Sequence, residues 1–113
     1  MPITFVEPQK MVTAPFQYPD SQKILLYLES TDPVDVFVVH SKDTEKLLAD
    51  LNNYPQFFAT KFSAVNYLKQ VIPMSPAWLT SSVFALTPKQ CNLLIFNQDE
   101  KKLLAVYYSI QKA

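Results

Sequence analysis

The sequence predicts an all-β protein with one short helix, folded as an antiparallel, jelly-roll-like β-sandwich of about seven to nine strands. Short segments in which apolar and polar residues alternate recur along the chain, and polar or proline-containing turns separate them. The segment Pro33–His40 is rich in β-branched and aromatic residues, as a central strand requires. At 113 residues the chain has the common size of a single domain, so we expect one domain over 1–113.

The N-terminal third contains several candidate strands. Ile3–Val6 resembles a short edge strand that Pro8 ends, and Lys10–Ala14 is a second candidate. Pro15–Tyr18 also alternates apolar and polar side chains. Gln22–Glu29 carries apolar residues on both faces, which is typical of an inner strand.

The polar segment Ser30–Pro33 separates Gln22–Glu29 from Pro33–His40. An Asp-Pro pair favours turn geometry. The pattern therefore predicts that Gln22–His40 forms an antiparallel hairpin with a short polar loop.

A short helix is predicted over Lys42–Leu51. Ser41 is a suitable N-cap, and leucines at positions 47, 48 and 51 form an apolar stripe at helical spacing. Asn52 and Asn53 end the helix, since asparagine tolerates the left-handed conformation of a C-cap.

The pattern over 56–72 fits both a helix and a strand, and we favour a strand over Ala64–Val71. Leu79–Thr87 predicts another strand. Cys91–Asn97 and Lys101–Gln111 follow, joined by the polar loop Asn97–Glu100, which indicates a second hairpin. We expect the two hairpins to pack face to face over one apolar core.

Composition limits the possible functions. Ten acidic residues balance ten basic residues, so no net charge attracts nucleic acid or anionic lipid, and the absence of glycine excludes glycine-rich phosphate loops. A single cysteine, Cys91, forms no intramolecular disulfide, which fits a reducing compartment. With no visible signal peptide and no apolar segment of membrane-spanning length, we expect a cytoplasmic protein, and a secreted precursor is the alternative. We expect no cofactor.

Two blocks resemble a known pattern: Lys23–Ser30 with Val34–Val39, and Asn92–Asn97 with Val106–Ile110. Together they resemble the jelly-roll β-sandwiches of the Golgi-dynamics (GOLD) domain and the bacterial pre-peptidase C-terminal domain. Pro88-Lys89-Gln90 stands where those families usually have a glycine before the penultimate strand. The resemblance implies a non-catalytic accessory or interaction module and carries over no functional residue.

The candidates for catalysis are few. Cys91, His40 and Asp35 are the ingredients of a cysteine-histidine site, yet a thiol beside a hydrophobic strand is usually a small buried apolar group. For Asp35 the favoured interpretation is a hydrogen-bonded strand aspartate rather than an active-site carboxylate. Asp32, Asp99 and Glu100 lie in predicted loops, where acidic residues usually solvate a turn rather than bind calcium.

Aromatic residues are more frequent than a small core requires. The candidate partner surface consists of Trp78, Met74, Phe57, Phe58 and Tyr54. We therefore expect a non-enzymatic module that binds a protein partner or associates with itself. A homodimer is one form that self-association could take. The alternative is a carrier of a small apolar ligand held between the sheets.

Overall fold

The computed structural model describes residues 3–18, 23–41, 44–51, 59–73 and 89–113. The described elements are β1 (Thr4–Val6), β2 (Met11–Tyr18), β3 (Lys23–His40), α1 (Thr44–Ala49), β4 (Ala59–Pro73), β5 (Lys89–Phe96) and β6 (Leu104–Lys112). The strands form one curled sheet in which every pairing is antiparallel. The predicted all-β class with one short helix is confirmed. The finer prediction of a seven- to nine-stranded jelly-roll sandwich stays a prediction.

Strand β3 organises the sheet. Strand β4 pairs along one edge of β3, from Lys23 to Val39. On the other edge, β6 pairs with the first part of β3 and β5 pairs with the last part. Strand β1 extends the sheet beyond β6, and β2 extends it beyond β5. The sheet thus has a first half (β1, β6 and the adjoining parts of β3 and β4) and a second half (β2, β5 and the remaining parts of β3 and β4).

The predicted hairpin over Gln22–His40 is wrong, because Lys23–His40 is one continuous strand of 18 residues. The register of β3 with β4 shifts between Glu29 and Val34, where the predicted turn lies. Polar residues and Pro33 are tolerated there because regular pairing is interrupted, so the missing proline N–H breaks no regular ladder. The turn signal therefore marks an irregular point within a strand instead of a reversal of the chain.

The predicted second hairpin is also wrong in its pairing. Both strands exist, β5 close to Cys91–Asn97 and β6 close to Lys101–Gln111, but each pairs with its own part of β3. Because β3 is long enough to serve both, the chain between β5 and β6 runs along β3 rather than folding β6 onto β5.

One apolar core joins the two halves. Inward-facing side chains of the first half of β3 contact those of the second half and those of β5 and β6, and the cluster includes Ile24, Leu26, Leu28, Val34, Val36, Val38, Leu93, Ile95, Leu104 and Val106. Complete burial of each such side chain contributes roughly 1.5–3 kcal/mol, so this core dominates the stability of the fold. The two segments predicted to share a core do share one.

Helix α1 covers the outer face of the second half. Its Leu47 packs against Phe37 and Val39 of β3 and Leu94 of β5 in a second buried cluster. Val34–Val39 is consequently buried on both faces, which confirms the central position predicted for Pro33–His40. The helix prediction is confirmed over Thr44–Ala49, a shorter span than predicted.

The ambiguous segment is a strand, Ala59–Pro73, longer than the predicted Ala64–Val71. Its length follows from pairing with nearly all of β3, which no local pattern in β4 reveals. Ile3–Val6 is confirmed as a short edge strand, and the two candidates over 10–18 form the single strand β2. The strand predicted at Leu79–Thr87 lies outside the described residues.

Candidate functional site

Asp35 links two distant segments of the chain. Its side chain is nearly buried, with 5% exposure. Oδ1 accepts a hydrogen bond of 3.0 Å from the backbone N–H of Ala64, and Oδ2 accepts one from the Gln98 side-chain amide. Ala64 has a φ of 53°, in the left-handed region, close to the register shift between β3 and β4. The interpretation of Asp35 as a hydrogen-bonded strand aspartate is confirmed.

Cys91 and His40 are directly opposite each other on β5 and β3. The Cys91 side chain has no exposed surface and belongs to the apolar core. Alternation along β3 places Asp35 and His40 on opposite faces of the strand. The structure thus brings together two of the three residues of the candidate nucleophilic site and separates the third.

The remaining acidic candidates make local contacts. Asp99 Oδ1 accepts hydrogen bonds from the backbone N–H groups of Lys101 and Lys102 at 2.7 and 2.9 Å, and these bonds lower the pKa of Asp99. Asp32 lies 4.0 Å from the Lys102 ammonium. Within the described ranges, no group of three or more metal-ligating side chains is present. Likewise, none of the described helices has the length and hydropathy needed to cross a membrane.

The predicted partner surface lies outside the described residues: Trp78, Met74, Phe57, Phe58 and Tyr54. A different surface emerges on the outer face of the first half of the sheet. Three strands contribute to it, at positions that pair directly across the sheet. We call it the tyrosine face: Leu25, Tyr27 and Glu29 of β3, Tyr67, Lys69 and Val71 of β4, Tyr107, Ser109 and Gln111 of β6, and Ile3 and Phe5 at its border.

Three tyrosine rings meet at the centre of this face. The Tyr27 ring lies 5.7 Å from the Tyr67 ring and 5.8 Å from the Tyr107 ring, measured between centroids. The interplanar angles are 86° and 64°, so both pairs have edge-to-face geometry. The Tyr67 and Tyr107 rings are therefore steeply inclined to the Tyr27 ring, and the three do not form one flat platform.

Glu29 supplies negative charge among these rings. It pairs directly with Tyr67 on one side and Tyr107 on the other. The Tyr27 hydroxyl donates a hydrogen bond to Glu29 Oε1. This hydrogen bond, with smaller contributions from desolvation and from the carboxylate charge, raises the pKa of Tyr27 to about 12. The Tyr27 hydroxyl therefore keeps its proton, and with it the hydrogen bond to Glu29, to a higher pH than an ordinary tyrosine does.

A shallow groove of about 560 Å³ runs over the tyrosine face. Its apolar lining includes Ile3, Leu25 and the rings of Tyr27 and Tyr107, while Glu29 lies at its polar side. A smaller depression of about 290 Å³ adjoins it and shares Ile3, Glu29 and Tyr107. Volumes of this order are typical of binding clefts.

The two outer faces of the sheet differ in their cover. Helix α1 buries Phe37, Val39 and Leu94 on the second half. On the first half, large hydrophobic side chains remain exposed: 62% for Phe5, 57% for Tyr67 and 48% for Val71. Several large apolar side chains exposed on one face of a sheet are typical of an interaction surface.

Sequence reasoning missed this surface although its signal was present. The segments 25–29, 67–71 and 107–111 each alternate outward residues that mix tyrosine with charged or amide side chains. Only the pairing of all three strands shows that these residues lie side by side. A comparison with known proteins adds no relationship: no protein-family model matches the chain, and no curated protein matches it significantly.

Proposed function

We propose that the protein is a non-catalytic interaction module that binds a protein partner through the tyrosine face. The observation that carries this proposal is the asymmetry of the sheet, which has a helix over one outer face and exposed tyrosine and aliphatic side chains on the other. Tyrosine is enriched at protein interfaces because it combines a large apolar area with a hydroxyl group that finds a hydrogen-bond partner.

The chemistry of the face supports binding rather than catalysis. Its residues are tyrosines, one phenylalanine, aliphatic side chains and a few polar groups, with one carboxylate, Glu29, and one ammonium group, Lys69. The candidate nucleophile Cys91 is buried in the core, away from this surface. Asp35 is engaged by Ala64 and Gln98. The resemblance to GOLD and pre-peptidase C-terminal domains, which stays a prediction, also points to a non-catalytic role.

Selection of peptides from a random library on the immobilised protein tests the proposal. We expect enriched peptides to perturb the backbone amide resonances of the tyrosine face in heteronuclear NMR spectra. Tyr107→Ala should weaken their binding at least about tenfold, as truncation of a central interface tyrosine does.

Leu48→Ala is the matched control, because Leu48 is 47% exposed but lies on α1, away from the tyrosine face. This variant should bind the selected peptides as the natural sequence does. If no peptide is enriched, or if selected peptides perturb the helix-covered half instead, the proposal is wrong.

A further inference from the structure

We propose that the tyrosine face recognises a lysine side chain of its partner, with a methylated ammonium as the preferred form. The cation would lie in the groove that Tyr27 and Tyr107 line, beside the Glu29 carboxylate. This inference rests on the proposed function and specifies the chemistry of the partner. Cations are attracted to the faces of tyrosine rings, and aromatic cages bind quaternary ammonium groups in this way.

The arrangement of the rings favours a compact cation. Tyr27 meets Tyr107 at 64° with centroids 5.8 Å apart. A small ammonium group in the groove that both rings line can approach an exposed ring face within the roughly 6 Å over which cation–π attraction acts. A flat ligand that stacks on several rings at once needs nearly coplanar rings, and these are steeply inclined.

Glu29 adds charge complementarity. Its carboxylate lies between Tyr67 and Tyr107 across the sheet and accepts its hydrogen bond from the Tyr27 hydroxyl. That bond fixes the carboxylate and the Tyr27 ring relative to each other. A cation in the groove beside these rings would therefore meet a positioned negative charge together with an aromatic ring face.

The apolar part of the groove suits the stem of a lysine side chain. Ile3 and Leu25 line the groove next to the two rings. Lysine buries its methylene chain along apolar surface while its head group remains at a polar site. Another part of the sheet has a lysine ammonium beside an aromatic ring: the Lys61 ammonium lies 5.3 Å from the centroid of the Phe37 ring.

The probe is the blocked amino acid trimethyllysine, titrated into the full chain and followed by NMR. Its neutral isostere, with a tert-butyl carbon in place of the trimethylammonium nitrogen, has the same shape without the charge. We expect amide shifts at Tyr27, Glu29 and Tyr107, and about three- to fivefold tighter binding of the cation than of the isostere. Blocked lysine should bind more weakly than trimethyllysine.

Variants separate the contributions. Glu29→Gln should weaken binding of the cation about threefold, as loss of an exposed ion pair does, and should leave binding of the isostere unchanged. Higher salt should act like Glu29→Gln, because screening reduces only the Coulombic attraction. Leu48→Ala should leave the affinity for both ligands unchanged. Lys69→Ala, which removes the cation carried by the face itself, should not weaken binding.

Equal affinity of the isostere and the cation would overturn the inference, as would shifts that fall outside the tyrosine face or no shifts up to the solubility of the probe. A dimer in sedimentation experiments that Lys69→Ala abolishes would also overturn it, since a second copy would then supply the cation. Peptides that contain no lysine but still bind the tyrosine face would end this inference and leave the proposed function intact. Peptides that bind elsewhere would end both.

Discussion

Replacement of Asn97 by alanine should destabilise the protein strongly, although Asn97 is neither apolar nor part of the tyrosine face. Asn97 has no exposed surface. Its Nδ2 donates to the carbonyl oxygens of Val6 at 3.0 Å and Lys102 at 2.8 Å, and its Oδ1 accepts from the Asp99 N–H at 2.9 Å. One amide thus connects β1 to both ends of the chain between β5 and β6.

The magnitude follows from these three bonds. Two are partly solvated and contribute about 1 kcal/mol each, whereas loss of the buried bond to Val6 leaves a carbonyl without a partner, at a cost of about 1–3 kcal/mol. We therefore expect Asn97→Ala to lower the free energy of unfolding by roughly 3–5 kcal/mol. Since small domains are stable by about 5–15 kcal/mol, the variant should still fold unless the natural protein is at the lower end of that range.

Urea unfolding followed by far-ultraviolet circular dichroism measures this change. Asn66→Ala is the control, because Asn66 is exposed on β4 and its replacement should alter stability by less than about 0.5 kcal/mol. Asn97→Asp keeps an acceptor for Asp99 but places a carboxylate against two carbonyl oxygens. Burial raises the pKa of such a carboxyl group. The free energy of unfolding of Asn97→Asp should therefore come closer to that of the natural sequence as the pH falls. A loss below about 1 kcal/mol for Asn97→Ala would refute the reasoning.

Three further outcomes are expected. Asp35→Ala should lower the free energy of unfolding by roughly 2–3 kcal/mol and Asp35→Asn by about 1 kcal/mol, since asparagine still accepts the hydrogen bond from Ala64; equal losses in urea unfolding would contradict this. Ala64→Gly should raise stability by about 0.5–1 kcal/mol in the same assay, because its φ of 53° strains any residue with a Cβ; a loss would show that chain entropy prevails. The pKa of Tyr27 is raised, so its contribution to stability is complete below pH 10 and is lost as the pH rises through about 12. In a tyrosine ¹³C NMR titration, Glu29→Gln should return this pKa toward 10, and an unchanged midpoint would disprove the role of the carboxylate.

Local sequence was sufficient for the strand content and for the inward faces of the strands. Period-two alternation at Leu26 and Leu28, and again at Val36 and Val38, assigns the core side chains that the structure buries. Local sequence was insufficient for connectivity around Pro33. A proline and an aspartate are found both at chain reversals and at irregular positions within strands. In this protein β4 pairs with β3 on both sides of the irregularity, and this pairing makes β3 one strand.

The site was harder to predict than the fold, because it is defined by side chains that no local pattern brings together. Tyr27, Tyr67 and Tyr107 are separated by about forty residues each along the chain, yet their rings are in contact. The density of aromatic residues suggested a partner surface but directed attention to the proline-rich segment around Trp78. Each tyrosine by itself resembles an ordinary half-exposed strand residue, and the register of the sheet makes them a group.

The length of β3 explains why the two outer faces of one sheet acquire different roles. A strand of 18 residues passes through both halves, so its outward side chains divide into two sets. The set that contains Phe37 and Val39 is apolar except for Asp35, whose carboxylate is hydrogen-bonded, and Leu47 of α1 covers its apolar members. The set that contains Tyr27 and Glu29 carries hydroxyl and carboxylate groups that tolerate water, and none of the described elements covers it as α1 covers the other set. The same alternation that builds the core therefore leaves an exposed face among the described residues, and this is the face through which we propose that a partner binds.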